Sequence, residues 1–239
     1  MTEPASIETR LDRIDWAGVH GDLDAQGWAV APALLTAAEA DAVSGLYPRA
    51  DGFRSQVVMG RHGFGRGQYK YFSYPLPPLI QALRTAAYPR LAPIANRWAE
   101  RLGQAVRFPA EHAAFLERCR AAGQTRPTPL LLQYGPDDYN CLHRDLYGEH
   151  VFPLQIAMLL DEPGVDFEGG EFVMTEQRPR MQTRPMVLPL RKGDAAIFAV
   201  NGRPMKGVRG DYQVKLSHGV SKLRSGRRHT VGVIFHDAA

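Results

Sequence analysis

The chain's 239 residues, 44% hydrophobic and 23% charged, exclude a disordered or fibrous protein and suffice to bury one sizeable core. No apolar run approaches the roughly 20 residues of a membrane helix, and the opening MTEPASIETRLDRID is acidic where a secretory leader is basic and then apolar, so a cytoplasmic protein with no membrane partner is expected. The net charge of +4 hides an asymmetry, eight acids against three bases over residues 1–50 and 17 against 26 over the rest, which leaves either a solvated basic face or a surface for phosphates.

In chain order, the first stretch reads as mainly helical. Thr36-Ala-Ala-Glu39 is a capping-box pattern that opens a short helix. The tract LPPLIQALRTAAYPRLAPIANRWAERLG has helical apolar spacing, with breaks expected at Pro89 and Pro93. PAEHAAFLERCRAAG puts Pro109 at a helix start and Gly123 just past its end. From Pro129 the texture changes. PLLLQY, YNCLHRD, FPLQIAMLL, GEFVM, MVLPL, DAAIFAV, YQVKLSH and HTVGVIFH are short strand-like runs between Gly, Pro and Asp turns. Helices followed by about eight such strands predict an α+β chain, a double-stranded β-helix (jelly-roll) barrel with an N-terminal helical buttress. The expected division is a support and substrate-lid region over 1–128 and a catalytic core over 129–239, in one compact unit. Cys119 and Cys141 are too few for a disulfide framework and form no metal-type pair.

Residues 140–150, NCLHRDLYGEH, contain the HRDL of a protein-kinase catalytic loop. Gly63-Phe64-Gly65-Arg66-Gly67 and Asp166-Phe167 extend that similarity. A kinase, however, needs a lysine on the intervening strands to hold the ATP phosphates, and no Lys occurs between Tyr71 and Arg191. The kinase is excluded. On a strand, residues two apart point to the same side, so His143 and Asp145 present an imidazole and a carboxylate to one point. Two histidines and a carboxylate form the facial triad that binds Fe(II) and leaves positions open for cosubstrate and oxygen. Cys141 shares strand parity with His143, which would point it near the metal, but the preferred expectation is a small buried hydrophobe. His218, ending YQVKLSH, is the candidate third ligand. Its rivals are His229 and His236, but only His218 is followed ten residues later by an arginine, Arg228.

These four residues, together with Tyr134, FEGGEF (167–172), KGDAAIF (192–198) and HGVSKLRSGRRHTVGVIFH (218–236), resemble the Fe(II)/2-oxoglutarate-dependent dioxygenases over roughly 129–239. RHGFGRGQYKYFSYPLPPLIQALRTAAYPRLAPIANRW extends the resemblance to a bacterial family described as related to oxidative demethylases of damaged DNA. The resemblance implies Fe(II) on His143, Asp145 and His218. It also implies 2-oxoglutarate, with its far carboxylate on Arg228 and on Tyr134 as a second donor, O2 as the other cosubstrate, and hydroxylation of a C–H bond with release of succinate and CO2. The pattern Gly226-x-Arg favours Arg228 over Arg227.

For the substrate, Arg54, Arg61, Arg66 and Lys70 interleave with Phe53, Phe64, Tyr69, Tyr71 and Phe72, cations for phosphates with rings for bases. Residues 178–230 add thirteen Lys and Arg against two acids, Arg203, Lys206 and Arg209 among them. A DNA or RNA base demethylase or hydroxylase is the first reading. Hydroxylation of a protein side chain or small metabolite is the alternative, and a non-catalytic metal- or ligand-binding barrel the remote one. Segments 61–70 and 201–215 are the candidate substrate lids.

Overall fold

Ser6, Asp15 and Thr36 each accept a hydrogen bond from the backbone amide three residues on, of Thr9, Gly18 and Glu39. Each satisfies an otherwise orphaned donor and so starts a helix. The helices are α1 (Ile7–Asp12), α2 (Trp16–Gln26) and, after strand β1 (Trp28–Ala31), α3 (Ala37–Ser44); the last carries the expected capping box. This computed structural model describes residues 5–239; residues 1–4, part of the acidic opening, lie outside the described residues.

Strands β2 (Phe53–Val58), β3 (Gly65–Arg66) and β4 (Gln68–Phe72) precede α4 (Pro78–Arg101) and α5 (His112–Ala121). The expected breaks at Pro89 and Pro93 do not occur, because α4 runs through both prolines. Each ring removes one amide, but both prolines lie on the outer side of the helix, and the inner side buries Leu83, Ala87, Tyr88, Leu91, Ile94 and Trp98. Packing of that inner side outweighs the lost hydrogen bonds. Helix α5 begins three residues after Pro109, and Gly123 follows its cap.

All eight expected strands form: β5 (Leu130–Tyr134), β6 (Tyr139–His143), β7 (Leu154–Leu159), β9 (Phe172–Gln177), β10 (Arg184–Leu188), β11 (Ala195–Ala199), β13 (Gly210–Val220) and β15 (Arg228–Val233). Three short ones join them, β8 (Phe167–Gly169), β12 (Gly202–Gly207) and β14 (Leu223–Gly226). One sheet runs β1-β11-β7-β15-β5-β4-β2, a second β10-β9-β13-β6-β3 with β12 on β13, and β14 pairs β8. All the pairings between named strands are antiparallel. Both sheets therefore draw strands from either side of residue 129.

The sheets face each other across a shared apolar layer in which Phe172 of β9 meets Phe198 of β11 at 5.2 Å, a contact geometry that aromatic quadrupoles favour. The helical buttress joins one end through Tyr88, Phe115, Phe152 and Phe235, whose rings lie 4.8–6.0 Å apart. Arg84 of α4 locks it, donating from Nε to the carbonyl of Ile234 and pairing with the buried Asp237 at 2.8 Å. No helix of the described residues is long and apolar enough to cross a membrane.

Candidate active site

The antiparallel register of β6 and β13 sets His143 directly opposite His218. Their rings lie 4.3 Å apart. A β-bulge between His218 and Val220 locally increases the twist there, a common device beside functional sites. Asp145 sits just past the end of β6 rather than on it, yet its carboxylate turns to the same side as His143. Its Oδ1 lies 3.5 Å from Nε2 of His143 and its Oδ2 lies 3.4 Å from Nε2 of His218. The three ligand atoms all fall within 4.8 Å of one another.

Chemistry at this point favours a cation. Nδ1 of His143 is 2.8 Å from the Cys141 carbonyl and must donate to it, so Nε2 carries a lone pair aimed at the carboxylate. Burial, and then the neighbouring His218, push the His143 imidazole below its ordinary value, keeping it neutral. Burial alone would raise Asp145, but the hydrogen bond and charge of His218 and the Tyr147 hydroxyl hold its carboxyl well below the usual range. A lone pair facing an ionised carboxylate is repulsive until a metal ion lies between them. His218 is held by packing, stacked on Phe172 at 5.9 Å and against Phe198 at 4.7 Å; its buried Nδ1 has no partner.

The same cavity, of about 370 Å³, reaches from this cluster down to Tyr134, Arg228 and Thr230. Arg228 and Tyr134 face each other across β15 and β5, and both are buried. Nη1 of Arg228 donates to Thr230 Oγ1 at 2.6 Å, but its Nε and the Tyr134 hydroxyl have no partner. Among the described residues no carboxylate pairs with Arg228, so a cation is buried without its counter-charge, a costly state that an anionic ligand would relieve. Burial lowers Arg228 and pushes the Tyr134 phenol up to about 12, so the phenol stays a donor. A planar guanidinium fork and a phenol fit the carboxylate of a dicarboxylic acid. The residues present therefore suit both a divalent metal and 2-oxoglutarate.

Two motifs seen in the sequence explain how Arg228 is placed. Gly226 has φ +80°, and a Cβ there would lie 2.0 Å from the Asp166 carbonyl oxygen; only glycine lets β14 approach β8 so closely. The turn in FEGGEF packs on the arginine, with Gly170 bordering its Cδ. KGDAAIF serves structure instead, since Asp194 caps a turn by accepting from the amides of Ala33 and Arg191.

Other expectations need correction. Cys141 is exposed and lines the cavity rather than being a buried hydrophobe. Arg203 is buried, 2.7 Å from Glu176 and donating to the Asp24 carbonyl, so it anchors the β12–β13 hairpin and offers nothing to an anion. The hairpin contributes no residue of 202–215 to the cavity wall. Lys70 is tied to the carbonyls of Tyr47 and Arg49, and Arg54 to that of Pro127 with its guanidinium over Tyr71. Phe72 is core. Arg61, Arg66, Lys206 and Arg209 are exposed, while Gly63, Phe64 and Tyr69 of the other lid segment do line the cavity. Sequence reasoning missed Tyr147, Gln155, Thr230 and Arg144. Gln155 had a signal, as the one polar residue in the apolar run FPLQIAMLL, and Thr230 shares strand parity with Arg228.

Comparison with known proteins agrees with this geometry. The family described as "Oxygenase, catalysing oxidative methylation of damaged DNA" matches residues 67–238. Two uncharacterized proteins of Mycobacterium tuberculosis, from strains CDC 1551 / Oshkosh and ATCC 25618 / H37Rv, are 45% identical over 183 residues, 75% of this chain and 78% of theirs. A 2OG-Fe(II) oxygenase family oxidoreductase from Burkholderia pseudomallei superposes over 95% of this chain and 94% of its own, with a TM-score of 0.57 and 16% identity. A Pseudomonas putida prolyl-4-hydroxylase covers 94% of this chain and 99% of its own, with a TM-score of 0.54 and 16% identity. Those two likenesses bear on the fold alone, and they make it the expected jelly roll. The chain belongs to the oxygenase family matched over residues 67–238.

Proposed function

We propose that His143, Asp145 and His218 hold the Fe(II), that Arg228 and Tyr134 hold the far carboxylate of 2-oxoglutarate, and that the enzyme oxidises damaged nucleic-acid bases by demethylation or hydroxylation. The observation that carries the site assignment is the buried guanidinium of Arg228, without a carboxylate partner among the described residues, in the same cavity as the three metal-type side chains.

When bound, iron with 2-oxoglutarate and O2 supplies an oxidation in which the cosubstrate leaves as succinate and CO2 and a substrate C–H becomes C–OH. The chain's residues orient the partners. The Cys141 carbonyl fixes the tautomer of His143, so that its Nε2 stays available. Arg228 and Tyr134 fix the cosubstrate at the deep end, which leaves the mouth, bordered by Gly63, Phe64, Leu142 and Arg144, for the substrate. Phe64 and Leu142 are apolar there and limit water at the reacting carbon. Should the oxidised carbon be an N-methyl, the hydroxymethyl product breaks its C–N bond and releases formaldehyde.

Support for a nucleic acid comes from the family description, which names damaged DNA, and from the mouth itself. Phe64 is 48% exposed and stacks on His62 at 5.3 Å; Arg61 and Arg66 are exposed beside it in the chain, and Arg144 is exposed and lines the same cavity. Rings for a base beside cations for phosphates suit an unpaired nucleotide. The test is turnover of N-methylated single- and double-stranded oligonucleotides with Fe(II) and 2-oxoglutarate. Matched yields of succinate and formaldehyde, and binding that weakens with salt, are expected. No oligonucleotide binding even at low salt overturns the substrate. A stable product heavier by one oxygen, on a protein or metabolite and with no formaldehyde, replaces it with the side-chain or metabolite hydroxylase.

A further inference from the structure

The two histidines of the cluster are fixed by strand register, but Asp145 is not. It lies beyond the end of β6, in a stretch that has no regular structure until β7 begins at Leu154. No ladder hydrogen bond sets its direction, and a free aspartate side chain would rotate among several rotamers. Two side chains remove that freedom. The Tyr147 hydroxyl donates to Oδ1 at 2.8 Å, and the Gln155 amide Nε2 donates to Oδ2 at 3.1 Å. One comes from the loop that follows Asp145, the other from the opposite sheet. Gln155 is a buried amide on a strand that is buried at all six positions. Placing a polar group there is unfavourable unless a partner is waiting for it.

We infer that Tyr147 and Gln155 are positioning residues for the metal, a pair of neutral donors that grips Asp145 by its two oxygens and turns its carboxylate toward Nε2 of both histidines. This rests on reading His143, Asp145 and His218 as the metal ligands. Neutral donors suit the task. An ammonium or guanidinium in either place would compete with the metal for the carboxylate charge, whereas a phenol and an amide orient it and leave that charge to the cation. Each donor takes one oxygen and leaves the lone pairs that face the imidazoles free.

The probe is Mn(II), titrated calorimetrically into metal-free protein and followed by electron paramagnetic resonance, in wild type, Tyr147→Phe, Gln155→Leu, His143→Ala and a Tyr212→Phe control on the β12–β13 hairpin, where the hydroxyl meets only the Met205 sulfur. Tyr147→Phe and Gln155→Leu are each expected to weaken Mn(II) binding by roughly 10- to 100-fold, the range typical of lost outer-shell partners. Their Mn(II) spectra should differ from wild type, while the metal-free melting temperatures stay within roughly 2 °C of it and Tyr212→Phe binds like wild type. Wild-type affinity and spectrum in both variants overturn the inference. A drop in metal-free stability that accompanies the lost affinity in both also overturns it, by showing a merely structural role. If wild type takes up no Mn(II), or His143→Ala binds it equally well, the ligand assignment fails and this inference falls with it.

Discussion

The guanidinium carbon of Arg228 lies 5.6 Å from the centroid of the Tyr134 ring, directly across the β5–β15 ladder, and the Arg228 Nε and the Tyr134 hydroxyl are both buried without a partner. Arg228→Met removes a buried charge whose counter-ion is absent, and such replacements by apolar residues are neutral or stabilising. The ligand-free variant should therefore melt at the wild-type temperature or up to roughly 5 °C above it. Its affinity for 2-oxoglutarate should nevertheless fall on the order of 100-fold, the equivalent of about 3 kcal/mol for a lost charge-assisted pair. Tyr134→Phe removes one neutral donor and should cost about 3- to 10-fold. Thermal scans with and without cosubstrate check both points, because a ligand that binds only the native state raises the melting temperature. A ligand-free Arg228→Met that melts well below wild type would show that the guanidinium is satisfied by the protein.

The metal cluster makes a separate prediction, read by colour. Anaerobic Fe(II) and 2-oxoglutarate together should give wild-type protein a visible metal-to-ligand charge-transfer band. His143→Ala and Asp145→Ala should show none, since losing one of three ligands removes most of the affinity. Arg228→Met should reach the same band at higher cosubstrate. Adding a chelator should bleach it and lower the melting temperature to that of the metal-free protein. A band that persists in His143→Ala moves the metal elsewhere.

How much of this site the sequence discloses depends on whether a residue's role is local. His143, Asp145, His218 and Arg228 are legible because strand parity and fixed spacing are local properties, and the structure brings all four into one cavity. Asp145 is instructive, since parity puts it on the right side although the strand stops at His143. Tyr147 is legible only in three dimensions, and Gln155, conspicuous as the one polar residue of an apolar run, does not disclose locally which group it meets. The misread arginine, Arg203, fails for the same reason: charge is visible in the sequence, but its partner Glu176 is 27 residues away. The unbroken α4 shows tertiary packing overriding a sound local rule at Pro89 and Pro93.

The flap that precedes β4 makes a further prediction. Gly65 has φ +124°, and a Cβ there would lie 2.4 Å from the Tyr139 carbonyl oxygen, so β3 docks on β6 only with glycine at that position. Docking places Phe64 at the mouth, where its carbonyl accepts from the Cys141 amide at 2.9 Å. Phe64→Ala keeps that backbone contact and removes the ring. It should raise KM for the substrate about 10-fold, in line with the loss of one stacking partner, and leave substrate-free turnover of 2-oxoglutarate near wild type. Gly65→Ala should undock the flap and raise both the substrate KM and the substrate-free turnover, because water gains access. Equal losses in both turnovers for Phe64→Ala would place the ring at the cosubstrate instead.

Stability toward acid should be governed in part by two buried histidines outside the proposed ligand set. His112 of α5 lies 2.8 Å from the Phe235 carbonyl through Nε2, and His236 accepts the Phe152 amide on Nδ1 at 3.2 Å. Both rings are buried, and burial together with the charge of Arg84 pushes each down to about 4. In the unfolded chain they protonate near the ordinary value of about 6.5. Between those limits the unfolded state binds up to two more protons than the native state, so stability must rise with pH there. The contribution is complete above about 6.5 and is lost as the pH falls toward about 4, a change on the order of a few kcal/mol for the pair. Urea unfolding at intervals from roughly pH 7.5 to roughly pH 4.5 should show this slope. The variant His112→Gln/His236→Asn keeps a donor for the Phe235 carbonyl and an acceptor for the Phe152 amide but cannot titrate, so its curve should be flatter over the same interval. An unchanged slope in that variant would assign the acid sensitivity to carboxylates, whose protonation falls at lower pH.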